Sequence, residues 1–187
     1  MITVARQGWK ARSPKSYYSR KKDPKVITVH YIGAEISASD PEIPRVRQIQ
    51  DFHMDGRGWS DIAYSFLTGK SSAYVGRGKS RKNAADGGIY NNGSLSICVL
   101  VGTVHPPTQA HYNTLQELIW TLVEEFPTIK KIRPHKRLKA TSCPGAALSR
   151  KIADGYFTLH RPADQNAELR TILDDFLVKL KEIVNEV

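Results

Sequence analysis

Only two cysteines, Cys98 and Cys143, occur among the 187 residues. That scarcity excludes a disulfide-built scaffold and leaves at most a single Cys98–Cys143 bridge. No stretch approaches the roughly 18–20 consecutive apolar residues of a membrane-spanning helix, so no membrane span is expected. The opening segment MITVARQGWKARSPK lacks the uninterrupted apolar run of a secretory signal. Synthesis in the cytoplasm is therefore expected, with any work outside it needing another route. Acidic residues are also short: 18 Asp and Glu stand against 28 Lys and Arg, for a net charge of +10. The excess points to an anionic partner, whether nucleic acid, a membrane surface or a cell-wall polymer. It falls in three clusters, SRKKDPK (19–25), GRGKSRK (76–82) and KKIRPHKRLK (130–139), each of which reads by default as a solvated loop.

What is present suits one domain with a substantial core. Residues 1–25 are polar, basic and rich in turn formers, and read as an irregular lead-in. VITVHYIG (26–33) is β-branched and ends in glycine, which predicts a buried strand. RVRQIQDFHM spaces Val46, Ile49, Phe52 and His53 along a helical face that Gly56 and Gly58 close. DIAYSFLT predicts a strand, and SAYVGR beyond Gly69 its hairpin partner. SLSICVLVG (94–102) is the most apolar run and predicts a central strand. TQAHYNTLQELIWTLVEEF predicts a helix stopped by Pro127, IKKIR a short strand, GAALSRKIAD a short helix and residues 166–187 an amphipathic one. The fold class is therefore α/β, a single domain with a central mixed β-sheet flanked by helices.

The stretch RPHKRLKATSCPGAAL (133–148) places Cys143 directly before Pro144-Gly145 and eight positions after His135. On its own it is either a basic surface loop with a buried thiol or part of a metal site. An open zinc site needs about three ligands from His, Cys or carboxylate. His30, at the end of a strand, would complete a His-His-Cys set. Singly, each has a plainer reading: His30 a satisfied core histidine, Cys143 a small buried hydrophobe, His135 part of a solvated face. Tyr64 reads equally as core aromatic.

Taken together and in order, VITVHYIGA, VRQIQDFHMDGRGWSDIAYSFLT, AYVGRG, NNGSLSICVLVG and RPHKRLKATSCPG resemble the type 2 zinc N-acetylmuramoyl-L-alanine amidases. That group includes phage lysozyme-like amidases and the peptidoglycan recognition proteins. The likeness spans residues 4 to about 150, with the lead-in VARQGWKARSPK similar to the opening of many recognition proteins. It implies a peptidoglycan-recognition-protein-like fold for a catalytic domain at 1–155, with a C-terminal extension at 156–187 packed on the same domain. It also implies one Zn2+ per chain held by His30, His135 and Cys143. Tyr64 matches the tyrosine beside the reacting water, and Thr141 a position near the developing oxyanion. The implied substrate is peptidoglycan, cut at the amide joining N-acetylmuramic acid to L-alanine of the stem peptide. Arg77, Asn91 and Asn92 lie on loops expected to line a groove for sugar or peptide.

The likeness has departures. Cys98 stands where some relatives carry a catalytic glutamate. NAADGGIYNN lacks a histidine that many members have before that strand, so a substrate contact is missing or supplied differently. Thr141 stands where the lysozyme-like branch has lysine. A phenol with a pKa near 10 is an inefficient base at neutral pH, so Tyr64 is expected to orient and stabilise. His53 is expected to pack against Trp59, and Cys98 to pack in the core. The overall expectation is a phage or prophage endolysin, acting on the cell wall after release. Peptidoglycan and anionic cell-wall polymers are its partners; a monomer is expected, with no specific nucleic acid. The alternative is a non-catalytic recognition module, which the presence of Cys143 disfavours.

Overall fold

A computed structural model of the protein describes residues 1–16, 19–20, 22–34, 40–103, 105–162 and 176. Of the helix expected over 166–187, only residue 176 is among the described residues. Among the described residues, six strands and four α-helices follow one another as β1 (Ile2–Val4), β2 (Val26–Tyr31), α1 (Glu42–Asp51), β3 (Phe66–Thr68), β4 (Ser72–Val75), α2 (Tyr90–Gly93), β5 (Ser94–Val99), α3 (Gln109–Glu125), β6 (Lys131–Pro134) and α4 (Ala146–Ala153). The strands form one mixed sheet in the order β1-β4-β3-β5-β2-β6. β3 and β4 are the antiparallel hairpin; every other neighbouring pair is parallel.

Two adjacent parallel strands set the layout. β2 and β5 pair in a register that puts Thr28 beside Ser96 and His30 beside Cys98. Side chains alternate across a sheet, so each strand has two different faces. Ile27, Val29 and Tyr31 of β2, with Leu95, Ile97 and Val99 of β5, join one core cluster with Leu115, Leu118, Ile119 and Leu122 of α3. Thr28 and His30 face the other way, as do Ser94, Ser96 and Cys98, and all five are buried. The opposite cluster holds Val46 and Ile49 of α1 with Trp9, Ile62, Leu67, Tyr74 and Cys98. Helices thus cover both faces, and the buried polar positions of β2 and β5 leave a place for chemistry on the α1 side.

The lead-in is more structured than its composition predicts. Residues 2–4 form β1, an exposed edge strand too short for alternation to show. Trp9 is fully buried, and its indole N–H donates to the Val75 carbonyl at 3.0 Å. Arg6 meets the buried Asp61 carboxylate at 3.0 Å. DIAYSFLT is strand only from Phe66 to Thr68. Before that, Asp61 bonds its neighbour's Ile62 N–H at 2.8 Å, a local hydrogen bond that competes with a ladder, so Tyr64 sits on a loop. α1 ends at Asp51 and passes into a π-helical turn, Phe52–Gly56, and the four-residue α2 was not foreseen. His111 closes a reciprocal capping box with Thr108 at the start of α3.

Beyond α4, Phe157 is buried and Thr158 is tied to α3 by the Gln116 amide at 2.8 Å and the Trp120 indole at 3.0 Å. No helix among the described residues is long and apolar enough to cross a membrane. The basic clusters, separate in sequence, meet at the start of β2. A bridge joins Ser19 to Arg81, and the Lys130 N–H donates to the Lys25 carbonyl at 3.0 Å. Ile97 is fully buried at the centre of the sheet. Ile97→Ala is expected to lower the unfolding free energy by about 2–5 kcal/mol, measured by urea denaturation; a loss well under 1 kcal/mol would contradict this packing.

Candidate metal centre

His30 enters from the end of β2, on the face away from α3. His135 begins a single 3-10 turn, His135–Arg137, immediately after β6. Because β6 runs parallel beside β2, both strands deliver their histidines to the same end of the sheet. The loop that follows returns to the same place: the Lys136 N–H donates to the Cys143 carbonyl at 2.9 Å, and the Cys143 N–H to Thr141 Oγ1 at 3.3 Å. The Cys143–Pro144 peptide is cis. Gly145 follows at φ +87°, where a Cβ would stand 3.4 Å from the Tyr31 ring, so only glycine suits both the backbone and the close approach.

The ligand atoms of His30, His135 and Cys143 all lie within 4.8 Å of one another. The rings of the two histidines are 4.3 Å apart, and Cys143 Sγ is 3.7 Å from His30 Nδ1. A tetrahedral zinc with bonds of about 2.0 Å to nitrogen and about 2.3 Å to sulfur needs an N···S edge of about 3.6 Å. The observed spacing fits. His135 Nε2 is buried with no hydrogen-bond partner, which also fits, since a cation would give this group its missing interaction. Burial, with His30 close by, holds His135 down to about 4, so it is neutral and able to ligate. Burial pushes the Cys143 thiol up to about 11, so its thiolate needs a cation. Both cysteines are free thiols, which leaves the Cys98–Cys143 bridge unformed.

One residue of the site carried no signal in the sequence. His30 Nε2 donates to Asp86 Oδ1 at 2.8 Å, with both side chains buried. Asp86 belongs to NAADGGIYNN, the segment in which the family likeness leaves a histidine missing. Thr28 Oγ1 at 2.7 Å and the Ser94 hydroxyl donate to its other oxygen. Burial opposes the charge on Asp86, but the hydrogen bonds from His30, Ser94 and Thr28 outweigh it and hold the carboxyl below the usual range. A buried acid among strand serines and a threonine was detectable only once the strands were paired.

Tyr64 stands with its ring 5.3 Å from that of His30. Burial and the neighbouring Cys98 thiol, with which it hydrogen-bonds, push its phenol well above the ordinary value. It therefore stays protonated at neutral pH. Cys98 is fully buried. From Tyr64 the aromatic contacts continue to His53 at 5.6 Å and to Trp59, stacked on His53 at 5.0 Å. Trp59 opens onto a groove of about 470 Å³ lined also by Lys15, Arg77, Lys82, Asn83 and Asn91. Its lining has three cations and no carboxylate.

Arg77 and Asn91 are among the residues lining this cavity. Arg77 is mostly buried, its Nε donating to the Ile62 carbonyl at 2.7 Å. The Asn91 side-chain oxygen accepts the Asp86 and Gly87 N–H groups at 3.0 and 2.9 Å. The Asn92 carbonyl accepts from Arg20 at 2.7 Å.

Residues 20–146 match the family profile described as N-acetylmuramoyl-L-alanine amidase. The chain belongs to this amidase family. Among curated relatives it is 32% identical to peptidoglycan-recognition protein LB of Drosophila melanogaster, over 80% of this chain and 67% of that one. It is also 32% identical to an N-acetylmuramoyl-L-alanine amidase of Mus musculus, over 55% of this chain but only 20% of that longer protein. A solved variant of Drosophila PGRP-LB in complex with tracheal cytotoxin superposes with a TM-score of 0.75 at 28% identity, covering 84% of this chain and 96% of the other. The family and its recognition-protein fold are those expected from the sequence.

His53 offers a pH test of this packing. Its Nδ1 accepts the Ala63 N–H at 3.2 Å, and burial, helped by Arg77 and Arg57, lowers its pKa from 6.5 to about 4. The unfolded chain thus binds a proton between pH 6.5 and about 4 that the folded chain refuses. Stability falls as pH drops through that window, by about 3 kcal/mol in all at about 1.4 kcal/mol per unit. His53→Gln is expected to flatten the pH dependence of the unfolding free energy there; an unchanged slope would contradict it.

Proposed function

We propose that the chain is a zinc-dependent peptidoglycan hydrolase that cleaves the amide between N-acetylmuramic acid and the L-alanine of the stem peptide. The observation that carries this reading is the convergence of His30, His135 and Cys143, whose ligand atoms all lie within 4.8 Å of one another. When bound, zinc supplies Lewis acidity and lowers the pKa of water toward 7, which answers the poor reactivity of an amide.

The chain's own residues do the rest. His30, His135 and Cys143 would hold the ion, and one thiolate would reduce its formal charge without removing its acidity. The Tyr64 phenol, kept protonated by burial, donates to the oxyanion that forms as the carbonyl is attacked. Thr141 Oγ1 accepts the Cys143 N–H, which leaves its hydroxyl proton free to serve as a second neutral donor. Lys15, Arg77 and Lys82 offer positive charge to the carboxylates of a stem peptide, and Trp59 an apolar face to its side chains or to sugar. The basic clusters gathered at the start of β2 support contact with anionic cell-wall polymers. Service as a phage or prophage endolysin, reaching the wall after release from the cytoplasm, belongs to the same proposal.

The test uses purified sacculi and follows release of stem peptides with a new L-alanine amino terminus. Zinc-loaded protein is expected to release them, EDTA to stop release, zinc to restore it and Cys143→Ala to reduce it to background. Tyr64→Phe is expected to lower kcat about 100-fold or more with zinc content unchanged. Tight binding to sacculi with no new amino terminus, where a control amidase cuts, would overturn hydrolysis in favour of a recognition module.

A further inference from the structure

We infer that Asp86 is a positioning residue for the metal ligand His30, fixing its tautomer and aiming Nδ1 at the space shared with His135 and Cys143. The inference rests on the zinc reading above.

The two oxygens of Asp86 have separate tasks. Oδ2 is anchored by the Thr28 and Ser94 hydroxyls, with Arg133 Nη2 at 3.8 Å. Oδ1 is left for His30 Nε2 at 2.8 Å. The loop that carries the carboxylate is itself tied: the Asp86 N–H donates to Asn91 Oδ1 at 3.0 Å and to Asn83 Oδ1 at 3.2 Å. Asn83 in turn donates to the Ser94 carbonyl at 3.0 Å. Arg133 donates to Thr28 Oγ1 at 3.1 Å, so the threonine proton is committed to Asp86. Every part of this network is buried or half-buried, and it ends on one imidazole nitrogen.

An ionised carboxylate accepts hydrogen bonds and donates none. The bond at 2.8 Å therefore requires the proton of neutral His30 to sit on Nε2. Its lone pair is then on Nδ1, the nitrogen 3.7 Å from Cys143 Sγ. The opposite tautomer would set a lone pair against the carboxylate and turn an N–H toward the ion. A carboxylate partner also makes the imidazole a stronger donor to a metal, and losing such a partner typically weakens metal affinity by about 10- to 100-fold. At His135 the nitrogen left without a hydrogen-bond partner is Nε2, the atom that a cation would engage.

Two measurements on the full chain test this. In the metal-free wild type, long-range 1H–15N correlation of the imidazoles is expected to show His30 as the Nε2–H tautomer. Zinc affinity, measured by competition with a chromophoric chelator, is expected to fall about 10- to 100-fold in Asp86→Asn, with cobalt substitution reporting a changed absorption spectrum. An Nδ1–H tautomer, or equal zinc affinity in a folded Asp86→Asn, would overturn the inference. If the variant does not fold, the wild-type tautomer decides alone. Wild-type protein that binds no zinc would overturn the zinc reading instead, and the tautomer would still test the Asp86 geometry.

Discussion

Burying a carboxylate costs several kcal/mol unless donors surround it, and much of this site is organised around supplying them to Asp86. Thr28, Ser94 and His30 come from two neighbouring parallel strands whose register brings the three to the same face. The same alternation sends Ile27, Val29, Leu95 and Ile97 into the core under α3. One geometric property, the two-residue period of a strand, thus separates the core from the site. The polar face is tolerated because its members satisfy one another, and the candidate ligand His30 is one of those members.

Much of the fold was legible in the sequence because its long elements have clear periods. VITVHY and SLSICV read as strands, the α3 segment as a helix ending before Pro127, and the hairpin after Gly69 fell as expected. What was missed has a common physical origin. β1 is three residues long at an exposed edge, too short to show alternation. Residues 61–65 have strand-like composition, but the Asp61 side chain and neighbouring loops take up backbone groups that a ladder would use. Trp9 looked like part of a polar lead-in, although an indole with one hydrogen-bonding atom is easily buried when a carbonyl such as that of Val75 meets it.

The candidate site was legible to the same degree. His30, His135, Cys143 and Tyr64 stood out through the order of motifs they belong to, and the fold draws them together. Asp86 could not be found that way, since a single acid in a glycine-rich loop is usually solvated. Its meaning appears only when 86 is seen against 28, 30 and 94. Asn91 shows the converse: expected to meet sugar or peptide, it has its side-chain oxygen spent holding the Asp86 loop.

The matching family profile is that of an amidase and the solved relative is a recognition protein; the hydrolysis proposed for this chain requires a zinc ion. A groove with three cations and an exposed tryptophan serves either. A thiol pushed up to about 11 beside two histidines makes chemical sense with a cation to hold its thiolate. The decisive measurement is zinc-edge X-ray absorption on zinc-loaded protein. One zinc per chain, with a single sulfur at about 2.3 Å and two nitrogens at about 2.0 Å, is the result this account predicts, the sulfur vanishing in Cys143→Ala. No stoichiometric zinc, or a coordination shell without sulfur, would contradict it.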